Sequence, residues 1–90
     1  MTKQPALHLV ESTFLNRYLT ASEEAFIREN FSQSSLDNTY YVTLEDLRKA
    51  EDRLQKDSVK AKDQGIKEVI GILRKRLRGK ASIDIGLWRD

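Results

Sequence analysis

The part of the chain that most constrains its fold is residues 66–77, where apolar residues recur with the spacing of an α-helix. The apolar residues share one side of such a helix: Ile66, Val69, Ile70, Leu73 and Leu77. At the usual turn per residue they fall within an arc of about 100°, which is typical of a helix packed on one face. Gly79 is expected to end this helix, because glycine favours the position just after a helix.

Three more helices are predicted before this segment. Pro5 suits a helix start, and the apolar spacing that follows predicts a helix over residues 5–19. Ser22 is a candidate N-cap for a short helix over 22–32, so the first two helices would form a hairpin. Thr43 is a candidate N-cap for a long, highly charged helix over 43–64.

Two short segments have the pattern of β-strands. Residues 82–88 alternate apolar and polar side chains up to Leu87, and residues 39–43 contain Tyr40 and Tyr41. Two such strands form a marginal sheet by themselves. The predicted fold is therefore mainly α: a single small helical domain over 1–90 with about four helices and a minor two-stranded pairing of 39–43 with 82–88.

The charge is unevenly distributed along the chain. Residues 1–45 carry three basic and six acidic side chains, whereas residues 46–90 carry thirteen and eight. The basic residues of the last helix and its end are candidates for binding an anionic partner: Lys67, Arg74, Lys75, Arg78 and Lys80. A solvated surface is the commoner role, because cations suit a helix C-terminus. Nucleic acid, an acidic protein surface and membrane headgroups are the alternatives.

A second set of residues is a candidate seam for self-association or for a protein partner. Leu47, Leu54 and Ala61 repeat every seven residues along the long helix, as in a coiled coil. The tail adds Ile85, Leu87 and Trp88. Only 39% of the residues are hydrophobic, and a chain with so little core material favours a homodimer that shares one core.

Several classes of function lack the residues they need. The sequence has no cysteine and only one histidine, His8, so neither a thiolate metal site nor a catalytic triad is indicated. The glycines are scattered, which argues against a phosphate-binding loop. We therefore expect no enzymatic activity, no metal and no other cofactor. The sequence shows neither a bilayer-spanning run nor a signal peptide, and with the absence of cysteine this predicts a cytoplasmic protein.

The function predicted from these features is that of a small regulatory or adaptor protein, acting by protein–protein contact. A nucleic-acid-binding protein that uses the basic helix over 66–80 is the alternative. Small size, high charge and the lack of a catalytic set are common among accessory proteins of bacteria and phages, although no motif here identifies one.

Overall fold

The structure is a computed structural model, and it describes residues 10–34 and 39–89. The chain forms an α+β fold with three α-helices and a five-stranded sheet in these residues. The strands are β1 (Val10–Ser12), β2 (Tyr18–Leu19), β3 (Ser32–Gln33), β4 (Thr39–Thr43) and β5 (Ser82–Arg89). The helices are α1 (Ala21–Asn30), α2 (Leu44–Lys56) and α3 (Gln64–Arg76), with a 3₁₀ turn at Lys60–Lys62.

The sheet is antiparallel throughout, with the strand order β2-β1-β5-β4-β3. β5 lies at its centre. Its first half pairs with β4, from Ser82 opposite Thr43 to Gly86 opposite Thr39. Its second half pairs with β1, where Leu87 lies opposite Ser12 and Arg89 lies opposite Val10. The pairing of 39–43 with the tail is therefore present, but as the middle of a larger sheet.

The prediction of a mainly α, small helical domain with about four helices is wrong. The described part of the predicted first helix, from residue 10 to residue 19, forms β1, a bend and β2. Val10, Phe14 and Leu19 are buried from these different elements, and their spacing resembles a helical period by coincidence. Strands of two or three residues are too short for apolar alternation to appear in the sequence. Residues 5–9 of that prediction lie outside the described part.

The predicted helical hairpin is accordingly absent from the described residues, and α1 follows β2 directly. α1 begins at Ala21, and its N-cap is Thr20 rather than Ser22. Thr20 Oγ1 accepts a hydrogen bond from the Glu23 backbone N–H, while the Glu23 carboxylate accepts one from the Thr20 N–H. This reciprocal capping box fixes the start of the helix.

The long charged helix ends eight residues earlier than predicted. Thr43 does cap it, since its hydroxyl accepts a hydrogen bond from the Asp46 N–H at 3.0 Å. The helix ends at Lys56, and the Asp57 carboxylate then accepts hydrogen bonds from the Val59 and Lys60 N–H groups where a separate 3₁₀ turn begins. α3 matches the predicted amphipathic helix closely, with Asp63 as its N-cap and Gly79 just past its end.

The core lies between the helices and one face of the sheet. The helices supply several of its most buried residues, including Ile27, Leu47, Ile66 and Leu73, each at most 1% exposed. Because side chains alternate along a strand, the opposite face of the sheet carries Tyr18, Tyr41 and Trp88, and these are 42–46% exposed. We call this second surface the open face.

Candidate functional site

The basic residues at the end of α3 surround an open groove of about 590 Å³. The groove lies where α2 begins and α3 ends, and the Leu44 N–H donates to the Ala81 carbonyl at 3.2 Å to hold these two segments together. It is lined by Leu44, Arg74, Lys75, Leu77, Arg78, Gly79 and Lys80. We call it the cationic groove.

The local sequence explains why the cations converge there. Leu77 is 2% exposed and anchors the end of α3, where its N–H donates to the Leu73 carbonyl at 2.9 Å. Gly79 follows with a φ of +77°, a conformation that glycine adopts without strain. This turn reverses the chain into β5 and leaves Arg78 and Lys80 exposed on either side of it.

The groove keeps most of its positive charge. Arg74 Nη2 forms an ion pair with the Glu51 carboxylate of α2. No carboxylate in the described ranges lies within ion-pair distance of Lys75, Arg78 or Lys80. The acidic residue Glu68, which could have neutralised the helix, pairs instead with Arg17. Three cations without an ion-pair partner in the described part of the chain, beside an apolar floor, make this groove a candidate site for an anionic ligand.

Four of the five residues predicted to bind an anionic partner therefore come together. The fifth, Lys67, is exposed near the start of α3 and does not line the groove. Leu44 was missed, because only the contact between the start of α2 and the turn after α3 brings it to the groove. It is 38% exposed and supplies part of the apolar lining.

The residues predicted as a seam are scattered. Leu47, Ile85 and Leu87 are at most 1% exposed and belong to the core of a single chain. Leu54 is half-buried and packs against that core, and Ala61 lies in the 3₁₀ turn rather than on α2. Trp88 alone is substantially exposed, on the open face.

The open face carries aromatic and acidic residues in a defined order. Tyr18 of β2, Glu11 of β1 and Trp88 of β5 lie side by side on neighbouring strands. Tyr41 of β4 lies opposite Asp84 of β5. Tyr18 was not predicted to be a site residue, because the apolar spacing places it on the predicted first helix. The two carboxylates give this face negative charge between its aromatic rings.

An ion pair between the exposed Arg17, which precedes β2, and the buried Glu23 of α1 joins the strands to the helices. The Arg17 guanidinium binds both oxygens of the Glu23 carboxylate, at 2.7 and 2.9 Å, and Glu23 is 1% exposed. These hydrogen bonds with Glu23, and then those with Glu68, raise the pKa of Arg17 above its ordinary value. Glu23 has its hydrogen bonds satisfied within the fold, which indicates a structural role.

The described residues contain no group of three histidine, cysteine or acidic residues that could hold a metal ion. His8 lies outside them. None of the described helices is both long enough and apolar enough to cross a membrane. Comparison with protein-family models, with curated protein sequences and with solved structures finds no significant match for this chain.

Proposed function

We propose that this chain is a small, non-enzymatic adaptor that binds an acidic segment of another protein in the cationic groove. The carrying observation is the convergence of Lys75, Arg78 and Lys80, unpaired within the described residues, around an apolar lining. A ligand that matches both properties has carboxylates for the rim and an apolar side chain for Leu44 and Leu77. An acidic, partly apolar peptide segment has this chemistry.

The apolar lining supports a protein ligand over a phosphate backbone. Leu44 is 38% exposed beside the buried Leu77, and covering such a side chain is favourable by about 25 cal/mol per Å² of apolar area. A phosphodiester backbone has no apolar group to cover it. The cations would then set the rate and the selectivity of association, since charge complementarity acts strongly on both.

Nucleic-acid binding by the basic helix over 66–80 is the second candidate. The unpaired cations favour it, because each phosphate that they neutralise releases counterions. The positions of the aromatic residues argue against it. Glu11 lies between Tyr18 and Trp88 on the open face, and Asp84 lies opposite Tyr41, so phosphates near a stacked base would meet carboxylates.

Fluorescence anisotropy with two kinds of labelled probe tests the proposal. One probe is a capped peptide of about eight residues that alternates glutamate and valine; the other kind is single- and double-stranded oligonucleotides. We expect the peptide to bind, and the double variant Lys75→Ala/Arg78→Ala to weaken binding at least about tenfold, or ~1.4 kcal/mol.

The matched control is Lys49→Ala/Lys56→Ala, which removes the same charge from exposed positions on α2 that lie outside the groove. It should change peptide binding by less than about twofold. Equal losses in both double variants would show a general charge effect and refute a specific groove. Tight oligonucleotide binding with no peptide binding would support the second candidate instead.

Self-association and a cytoplasmic location remain part of the proposal. With Leu47, Ile85 and Leu87 in the core of one chain, a homodimer would have to use other surfaces than the predicted seam. Sedimentation equilibrium across a range of concentrations measures the oligomeric state. A monomer at all concentrations would remove the dimer from the proposal and leave the adaptor role intact.

A further inference from the structure

One half of the central strand β5 has a neighbour on only one side. β1 pairs with β5 at Leu87, Trp88 and Arg89, and Thr13 is the last residue after β1 that bonds to β5. β4 pairs with the other side of β5 from Ser82 to Gly86. On the β1 side, the stretch from Ser82 to Asp84 has no partner strand among the described residues. We call this stretch the free edge.

The hydrogen bonds of Gly86 show which backbone groups point toward the free edge. The Gly86 carbonyl accepts from the Thr13 N–H at 3.0 Å, and the Gly86 N–H donates to Thr13 Oγ1 at 2.8 Å. Backbone groups alternate in direction along a strand, so those of Asp84 and Ser82 point the same way as those of Gly86. The Ala81 carbonyl, which points the other way, accepts from Leu44 next to β4, as this alternation requires.

The N–H groups and carbonyls of Ser82 and Asp84 therefore have the spacing of a β-ladder and face an open depression of about 390 Å³. Arg76 and Lys80 line it together with Ser82, Ile83 and Asp84. Lys80 also lines the cationic groove, so the two surfaces are continuous. An unpaired edge of this kind is a template for an added strand.

We propose that the partner's acidic segment binds as an added β-strand on the free edge of β5, next to the cationic groove. This proposal rests on the proposed function: one end of the segment lies in the cationic groove, and the part that passes Lys80 pairs with the free edge. Side chains alternate along a strand, so acidic residues at every second position would meet Arg76 and Lys80 while the residues between them face the side of Asp84. An acidic strand would form ion pairs with these two cations. A neutral or basic strand would have to desolvate them without forming such pairs, so its binding is disfavoured.

Two serine variants separate backbone pairing from side-chain contact. Ser82→Pro removes the N–H that faces the free edge, at the first residue of the strand, where proline is tolerated. Ser82→Ala keeps that N–H and removes only the hydroxyl. With the glutamate–valine peptide as the probe, we expect Ser82→Pro to weaken binding about fivefold or more and Ser82→Ala to leave it unchanged.

Hydrogen exchange on the unaltered chain gives a measurement that needs no variant. The amides of Ser82 and Asp84 should exchange fast in the free protein and become protected when the peptide binds, whereas those of Ile83 and Ile85 are protected in both states. The same peptide with N-methylated residues at alternate positions should bind weakly and give no protection.

The outcomes separate the two proposals. Peptide binding that depends on Lys75 and Arg78, with no new protection at Ser82 and Asp84, overturns strand addition and leaves the cationic groove as the site. Equal binding by Ser82→Pro and Ser82→Ala overturns it as well. No peptide binding at all refutes both.

Discussion

The carboxylate of Glu23 occupies the space beside Gly65 in which any other residue would have to place its Cβ. Glu23 is buried and is held there by Arg17 and by the backbone of Thr20. The first turn of α3 can approach this ion pair only because position 65 has no side chain. One glycine therefore determines how closely α3 packs against the start of α1.

Replacing Gly65 with alanine should destabilise the protein. The added Cβ overlaps Glu23 Oε2, so the carboxylate must leave Arg17 and Thr20 while still buried. We expect the free energy of unfolding to fall by about 2–4 kcal/mol, measured by urea denaturation.

Gly71→Ala on the same helix is the matched control, because a Cβ added there would meet no atom outside its own helix backbone within 4 Å. It should raise stability by about 0.5–1 kcal/mol, and equal losses in both variants would contradict this explanation.

Replacing Gly86 with alanine should displace the indole of Trp88. A Cβ at position 86 would lie 2.7 Å from Trp88 Cη2 and 2.8 Å from Cζ2, closer than carbon atoms pack. Trp88 is the only tryptophan, so its fluorescence reports this change directly. We expect emission at longer wavelength and stronger quenching by acrylamide than in the unaltered protein. An unchanged spectrum in a folded Gly86→Ala variant would show that the ring does not lie over the glycine.

Removing the charge of Glu51 should strengthen binding in the cationic groove. Glu51 pairs with Arg74, so Glu51→Gln releases a fourth cation to the ligand. We expect the acidic peptide to bind about two- to fivefold more tightly at low salt, with the gain shrinking as salt increases. Asp52→Asn removes the same charge next to it, but Asp52 pairs with Lys56 outside the groove. A similar gain in both variants would show a long-range charge effect only.

Asp57 should make the 3₁₀ turn sensitive to acid. Its Oδ1 accepts hydrogen bonds from the Lys60 and Val59 N–H groups, each at 3.0 Å, and the bond from Lys60 is the largest cause of a pKa below the ordinary value of 3.8. A lowered pKa in the folded state means that the stabilisation is fully present above the unfolded value and is lost as the pH falls through the folded one.

The measurement compares the unaltered protein with Asp57→Asn by urea denaturation across the acid range. The difference in stability should be constant from neutral pH down to about pH 5 and should shrink below pH 3.8. A difference that stays constant at the lowest pH would show that the ionised carboxylate does not stabilise the turn.

Sequence reasoning succeeded where one local signal decides the structure. The cap at Thr43, the apolar stripe of α3 and the pairing of 39–43 with the tail are confirmed. The helix itself ends at Arg76, and Gly79 lies in the turn that follows. The prediction failed over residues 10–19, where β1 is held by β5, more than seventy residues later, and β2 is held by β1. Four of the five predicted basic residues lie together, because the end of one helix and the turn after it position them. That they bind an anion stays a prediction.

The place of Leu44 in the groove and the free edge of β5 could not be predicted. The first depends on the contact between the start of α2 and the turn after α3, and the second on the residue at which β1 leaves the sheet. Both are long-range pairings, for which a single sequence has no local signal.

The last of the described strands to be synthesised is the one at the middle of the sheet. When a ribosome has made everything before residue 82, β1 and β2 have no contact with β3 and β4 through the sheet, since only β5 joins them. The nascent chain can form its helices early, but only β5 can unite the two halves of the sheet. Until then the two half-sheets have no common strand to pair with, so we expect the chain to be most prone to aggregation in the interval before β5 emerges.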